Sequence, residues 1–235
     1  MCGRYRLKDP KAALDFFEAK PVFEIMSRYN IAPTQKIPMV TGAGKIEEMV
    51  WGATAAWAKD TSKALINARS ESVREKRSFK SSFTKRRCLI PSNGFYEWSR
   101  GDKRPHLFTM KNEQPFAIAA FWNEAKDINR CCLLTTARNA VPEPVHDRMP
   151  VIVRREYWEE WFSPGELPDA VFHHITTPYA SEEMSALAVS SVVNSAKVDD
   201  PRCCEAWNCE AVPQKLVIIL PEKPKPKSQQ QNFGF

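Results

Sequence analysis

The chain predicts an α+β fold: a single β-rich domain built around a curved or barrel-like mixed sheet, with a few peripheral helices. Three observations point there. Short apolar or alternating runs bounded by Gly, Pro, Asn and Lys recur through the chain, the mark of many strands separated by turns. Only a few segments read as helices. The 235 residues, 43% of them hydrophobic, suffice for one sizeable core and sit near the upper end for a single domain.

Asp9 followed by Pro10 and KAALDFFEAK reads as an N-capped helix with proline in its first turn. KIPMV (36–40), EEMVWGA (47–53), RCLIPSNGFYEW (87–98), HLFTMK (106–111), FAIAAFW (116–122), CCLLTTA (131–137) and LVIIL (216–220) read as strands. VRREYWEEWF (153–162) has the spacing of an amphipathic helix that turns Tyr157, Trp158, Trp161 and Phe162 to the core. The last stretch, EKPKPKSQQQNFGF (222–235), is rich in Pro, Lys and Gln and reads as a disordered tail, which leaves a domain over 1–221.

Composition excludes several functions. No run approaches the roughly 20 apolar residues of a membrane span, and no secretory apolar core is present near the start, so a cytoplasmic protein is expected. Seven cysteines, with Cys131–Cys132 and Cys203–Cys204 adjacent, suit reduced thiols better than a disulfide framework. Cys203, Cys204 and Cys209 follow His173–His174 but lack CxxC spacing, so neither a metal nor a cofactor is expected. Walker, GxGxxG, HExxH and GxSxG motifs are missing from the sequence. The net charge is +6, and Arg69–Arg87 holds eight Lys/Arg against two Glu, a stripe that attracts phosphate if it is not merely a solvated face.

Cys2, directly after Met1, is the unusual residue. Once Met1 is removed, its α-amine and thiol share one Cα and form a 1,2-aminothiol. Asn67, Glu97 and His146 are polar groups embedded in strand-like apolar sequence, where burial is costly unless paired and pKa values shift.

MCGRY (1–5), RYNIAPTQ (28–35), VWGA (50–53), NARSES (67–72), RCLIPSNGFYEW (87–98), TTARNAVPEPVHDRMPVIV (135–153) and VVNSAK (192–197) resemble, in order, the motifs of the SRAP family, the SOS-response-associated peptidases or abasic-site processing proteins. The resemblance implies a compact β-rich domain that binds single-stranded DNA carrying an abasic site and links to it covalently through Cys2, shielding the lesion. It also allows lyase, self-reversal and self-processing activity, and association with the nucleoid on DNA.

By the same resemblance Glu97 manages protons at the Cys2 amine, His146 promotes opening of the sugar to its aldehyde, and Asn67 lies beside Cys2. Arg4, Arg69 and Arg148 look like phosphate clamps, Trp51 and Trp98 like base-stacking aromatics, and Pro33 like part of a strand-separating wedge. One departure is visible in WGATAAW, where small residues from Ala53 to Ala56 stand in place of a bulkier aliphatic and a proline. QQNFGF (Gln230–Phe235) resembles a sliding-clamp docking peptide. Two other functions stay open on the residues alone: a cysteine peptidase pairing Cys2 with His146, and a passive single-strand binder held by charge and tryptophans.

Overall fold

The computed structural model describes residues 2–42, 44–54 and 64–208. LVIIL, the tail from 222 and the Gln230–Phe235 peptide lie outside the described residues, as do Ala55, Ala56 and Trp57. In chain order the elements are β1 (Arg4–Leu7), α1 (Pro10–Phe17), β2 (Arg28–Ile31), β3 (Lys36–Gly42), β4 (Lys45–Trp51), β5 (Asn67–Arg69), α2 (Ser70–Val73), α3 (Lys80–Lys85), β6 (Arg87–Ser92), β7 (Gly94–Trp98), β8 (Pro105–Met110), β9 (Phe116–Ala125), β10 (Ile128–Ala137), β11 (Arg148–Pro150), α4 (Trp158–Phe162), α5 (Asp169–Thr176) and β12 (Met184–Ala188).

Five strands close on themselves in the order β10-β4-β3-β6-β9, with β9 returning to β10. The β10–β4 pair is parallel and the others antiparallel, which gives the expected mixed barrel. Beyond β4, the short β5 adds in parallel to β10, and β11 adds antiparallel to its end. A second, antiparallel sheet runs β12-β8-β7-β1-β2. Among the described residues no helix is long and apolar enough to cross a membrane.

Barrel strands bury both faces, so they read as apolar runs rather than alternations. Ile37, Met39, Cys88, Ile90, Ile118, Ala120, Cys131 and Leu133 join a core with Tyr5, Leu7, Phe95 and Phe108 of the second sheet. Their neighbours Val40, Leu89, Ala119, Phe121, Cys132 and Leu134 pack instead beneath the helices, against Phe17, Phe83, Trp161 and Ile175.

Asp9 caps α1, its Oδ1 accepting from Ala12 N at 2.9 Å, as the Asp-Pro signal predicts. RCLIPSNGFYEW is two strands, not one. At Asn93 the chain leaves the barrel for the second sheet, pinned where Asn93 N donates to Arg6 O at 3.0 Å. A Cβ at Gly94 would stand 2.9 Å from Leu107 Cδ1 and 3.0 Å from Phe108 O, so only glycine permits this close entry into β7. The expected helix over 153–162 is shorter: Val153 N is taken by Ala117 O at 2.9 Å, and a 3-10 turn at Arg155–Tyr157 precedes α4. Its aromatic face does pack inward, with Trp161 fully buried and Trp158 stacked on Phe17 at 4.7 Å.

Candidate active site

Cys2 precedes β1, which pairs with β7 so that Arg4 faces Tyr96; continuing this antiparallel register sets Gly3 opposite Glu97. Asn67 opens β5 beside Leu133 of β10, and His146 ends the loop that leads into β11 on the same β10. The second sheet and the far end of β10 therefore bring residues 2, 67, 97 and 146 into one neighbourhood.

Asn67 Nδ2 donates to the Cys2 carbonyl at 2.7 Å. Its Oδ1 is buried without a hydrogen-bond partner among the described residues, leaving a free acceptor near the Cys2 backbone. The Cys2 side chain is fully buried and its thiol donates to Arg4 O at 3.6 Å. Burial, reinforced by the charge of Glu97, pushes that thiol's pKa upward.

Glu97 is 3% exposed. Burial pushes its carboxyl up to about 7, and the charge of Asp147 adds to the effect. Its Oε2 lies 3.9 Å from His146 Nε2. Arg148 N donates to His146 Nδ1 at 3.1 Å, which assigns the neutral ring's proton to Nε2, the atom turned to Glu97. Asp147 Oδ1, 3.1 Å from Nδ1, is the partner for the doubly protonated ring. Burial lowers the His146 pKa below its ordinary value. The Glu97 carboxyl can therefore hold or release a proton near neutral pH, while burial favours the neutral His146 ring beside it.

The predicted arginines occupy different settings. Arg69 is exposed. Arg4 Nη1 donates to Asn30 Oδ1 at 2.9 Å and Val193 O at 2.8 Å, with its guanidinium 5.9 Å from the Trp98 ring centroid. Arg148 is bidentate to Glu71, at 2.7 and 3.0 Å. In the basic stripe Arg69, Lys76, Arg77, Lys80, Lys85 and Arg86 are exposed. Arg87 is buried instead, donating to the carbonyls of Phe83 at 3.0 Å, Trp161 at 2.7 Å and Gly165 at 2.9 Å; it ties helix ends together rather than facing a ligand.

Trp98 is partly exposed, its Nε1 donating to Asn194 Oδ1 at 2.7 Å. The expectation for Trp51 is corrected. It is 0% exposed, stands edge-on to Tyr5 at 5.6 Å and donates from Nε1 to Ile66 O at 3.0 Å; a ring enclosed on both faces stacks on no base. Trp51→Ala will therefore cost about 3–5 kcal/mol of stability, whereas Trp98→Ala will leave the melting transition nearly in place and weaken single-strand binding by about 1–3 kcal/mol. Thermal melts and fluorescence anisotropy on both variants separate the two roles.

Pro33 is half-buried in the turn after β2, followed by Thr34 at φ 73°. That is strained backbone for a β-branched residue, and it is held by Thr34 N donating to Trp51 O at 2.7 Å.

Three residues escaped the sequence reading. Asn30, fully buried, donates to Val193 O, Ser195 O and Val198 O at 3.1, 3.0 and 2.7 Å, clasping the VVNSAK segment to β2. Its position inside the strand RYNI was the available signal, since a buried amide needs several partners. Asp147 carried none beyond following His146, and Glu71 none beyond lying two residues after Arg69.

Comparison with known proteins places the chain by family and fold. Abasic site processing protein YoqW of Bacillus subtilis (strain 168) is 35% identical over 223 residues, covering 88% of this chain and all of the relative. Abasic site processing protein YoaM of the same organism is 32% identical over 225 residues, covering 88% and 99%. The crystal structure of a protein from Bacteroides thetaiotaomicron superposes with a TM-score of 0.77 at 22% identity, covering 88% of this chain and all of that one, and shares its fold. The family description "SOS response associated peptidase (SRAP)" matches residues 1–196, and this chain belongs to that family.

Proposed function

We propose that this protein captures abasic sites in single-stranded DNA, forming a thiazolidine through Cys2 once Met1 is removed. The observation that carries the reading is the convergence of Cys2 with a carboxyl poised at about 7 and a neutral imidazole. The names of the YoqW and YoaM relatives point to the same lesion.

An abasic deoxyribose interconverts between a closed hemiacetal and an open aldehyde. As the C1–O bond breaks, a water molecule protonates the ring oxygen while His146 Nε2–H steadies that oxygen by a hydrogen bond, and the C1 hydroxyl gives its proton to the resulting hydroxide, leaving the open aldehyde. The Cys2 α-amine, of a type with pKa near 8, gives its proton to the Glu97 carboxylate and attacks C1. Water leaves, with a proton returned from Glu97, and an imine forms. The thiol then adds across C=N: an S–C1 bond forms and the thiol proton ends on nitrogen. Aldehyde and aminothiol become thiazolidine plus one water.

Asn67 holds the Cys2 carbonyl and so orients the amine. Arg4, Arg69 and Arg148 lie along the path of phosphates, Trp98 stacks a base, and Pro33 on its strained turn parts paired strands. Run backwards, the same proton transfers return free protein. β-Elimination from the imine would nick the strand, and hydrolysis of the Met1–Cys2 bond by the same groups would expose the amine. The docking of Gln230–Phe235 on a sliding clamp belongs to this reading as well, as a tether.

The test is denaturing gel electrophoresis of Met1-free protein with a single-stranded oligonucleotide carrying one abasic site. A shifted band that survives denaturant, and that is missing for protein retaining Met1, is expected. Full release under denaturant would leave only a passive binder.

A further inference from the structure

Arg148 raises a difficulty for simple phosphate binding, because its side chain is only 12% exposed and both ends of its guanidinium fork are already filled by Glu71. The carboxylate is not needed to hold the arginine. Arg148 Nη2 also donates to Thr135 O at 2.6 Å and to Thr135 Oγ1 at 3.3 Å, contacts that anchor it to β10. Glu71 itself is 55% exposed, and an ion pair with one partner this open adds little stability. Arg148 Nε remains buried without a hydrogen-bond partner among the described residues, a spare donor beside the occupied fork. Glu71 also edges an open depression of about 360 Å³ whose lining mixes Phe172 and Pro178 with Ser70, Thr136, His173 and Thr176, space into which its side chain can swing.

We infer that Glu71 is an internal stand-in for a DNA phosphate. It fills the Arg148 fork in the free protein and is displaced when a strand binds, so that undamaged single strands are held weakly while a lesion is retained by Cys2. A carboxylate and a phosphate both accept two parallel N–H bonds from one guanidinium, so they compete for the same fork. Glu71 thereby becomes a specificity-determining residue, since every strand must replace an existing charge-assisted pair before gaining its own. This inference rests on the single-strand DNA reading of the site.

The experiment is a salt series of anisotropy titrations with an undamaged single-stranded oligonucleotide, using the full chain as wild type, Glu71→Ala, Arg148→Ala and the double variant. Glu71→Ala is expected to bind several-fold more tightly, with a salt dependence steeper by about 0.7 in log–log slope, the increment of one further phosphate on a single strand. The double variant should bind no better than Arg148→Ala, because the gain runs through Arg148. Unchanged or weaker binding by Glu71→Ala overturns the inference. A gain that persists in the double variant also overturns it, since that is general removal of negative charge. Failure of all four proteins to bind DNA would remove the DNA reading and this inference with it, whereas loss of the gain alone leaves covalent capture untouched.

Discussion

Cys2→Ala protein, freed of Met1, will leave no DNA adduct that survives denaturing electrophoresis, yet will yield one when borohydride is present during the incubation. The α-amine of the substituted residue retains its basicity and its backbone position, held through the residue 2 carbonyl by Asn67 at 2.7 Å, so an imine with the sugar aldehyde still forms. It has no second nucleophile to close the ring, and water returns it to aldehyde and amine. Borohydride reduces C=N to a stable amine and records the intermediate. The loss of stable product is complete because thiazolidine chemistry needs nitrogen and sulfur on one Cα. A denaturant-resistant adduct from Cys2→Ala without reductant would sink the mechanism. Absence of product with reductant would show that the α-amine is not the nucleophile.

Glu97→Gln is expected to slow capture by about 10²–10⁴-fold, the usual worth of a positioned acid–base group, and to stabilise the fold above neutral pH. The native carboxyl sits at about 7 against 4.5 for the ordinary group, so the folded state binds this proton more tightly than the unfolded chain. That contribution is fully present below 4.5 and is lost as pH rises through 7. Ionisation of the native protein then costs on the order of 3 kcal/mol, which glutamine avoids. The variant should match wild type in melting temperature near pH 4.5 and exceed it by roughly 6–12 °C at pH 8. Capture by wild type should climb through pH 7 as Glu97 ionises, and the variant's profile should lack that inflection. A variant less stable than wild type at pH 8, or one that captures at the wild-type rate, would remove Glu97 from the proposed role.

Much of the architecture was legible because burial writes itself into long apolar runs. FAIAAFW and CCLLTTA became β9 and β10, the two longest strands among the described residues. What the sequence hid were elements that exist only because a partner is already there. β5 is three residues, NAR, and β11 is RMP; neither has a pattern, and each is a strand because β10 offers an edge. α3 buries only Phe83, and its C-terminal carbonyls are collected by Arg87, which a charge count reads as solvent-facing. The grouping of the site was legible in a similar way: Glu97 and His146 stood out as polar groups among apolar ones and lie 3.9 Å apart, but nothing in composition could say that Trp51 is enclosed and Trp98 is not. Both follow strand-like sequence, and only the closure of the barrel separates them.

The Asn30 clasp has a temporal consequence. Residues 2, 30, 67, 97 and 146 are synthesised in that order. The turn that holds Arg4 and Trp98, through Val193 O and Asn194 Oδ1, comes last. At about 5–20 residues per second this interval is roughly 10–40 s. During it Arg4 and Asn30 lack the carbonyls of the closing turn that hold them in the folded chain. Closure of the final turn onto β2 therefore fixes Arg4 and Trp98 only after every barrel strand has been made.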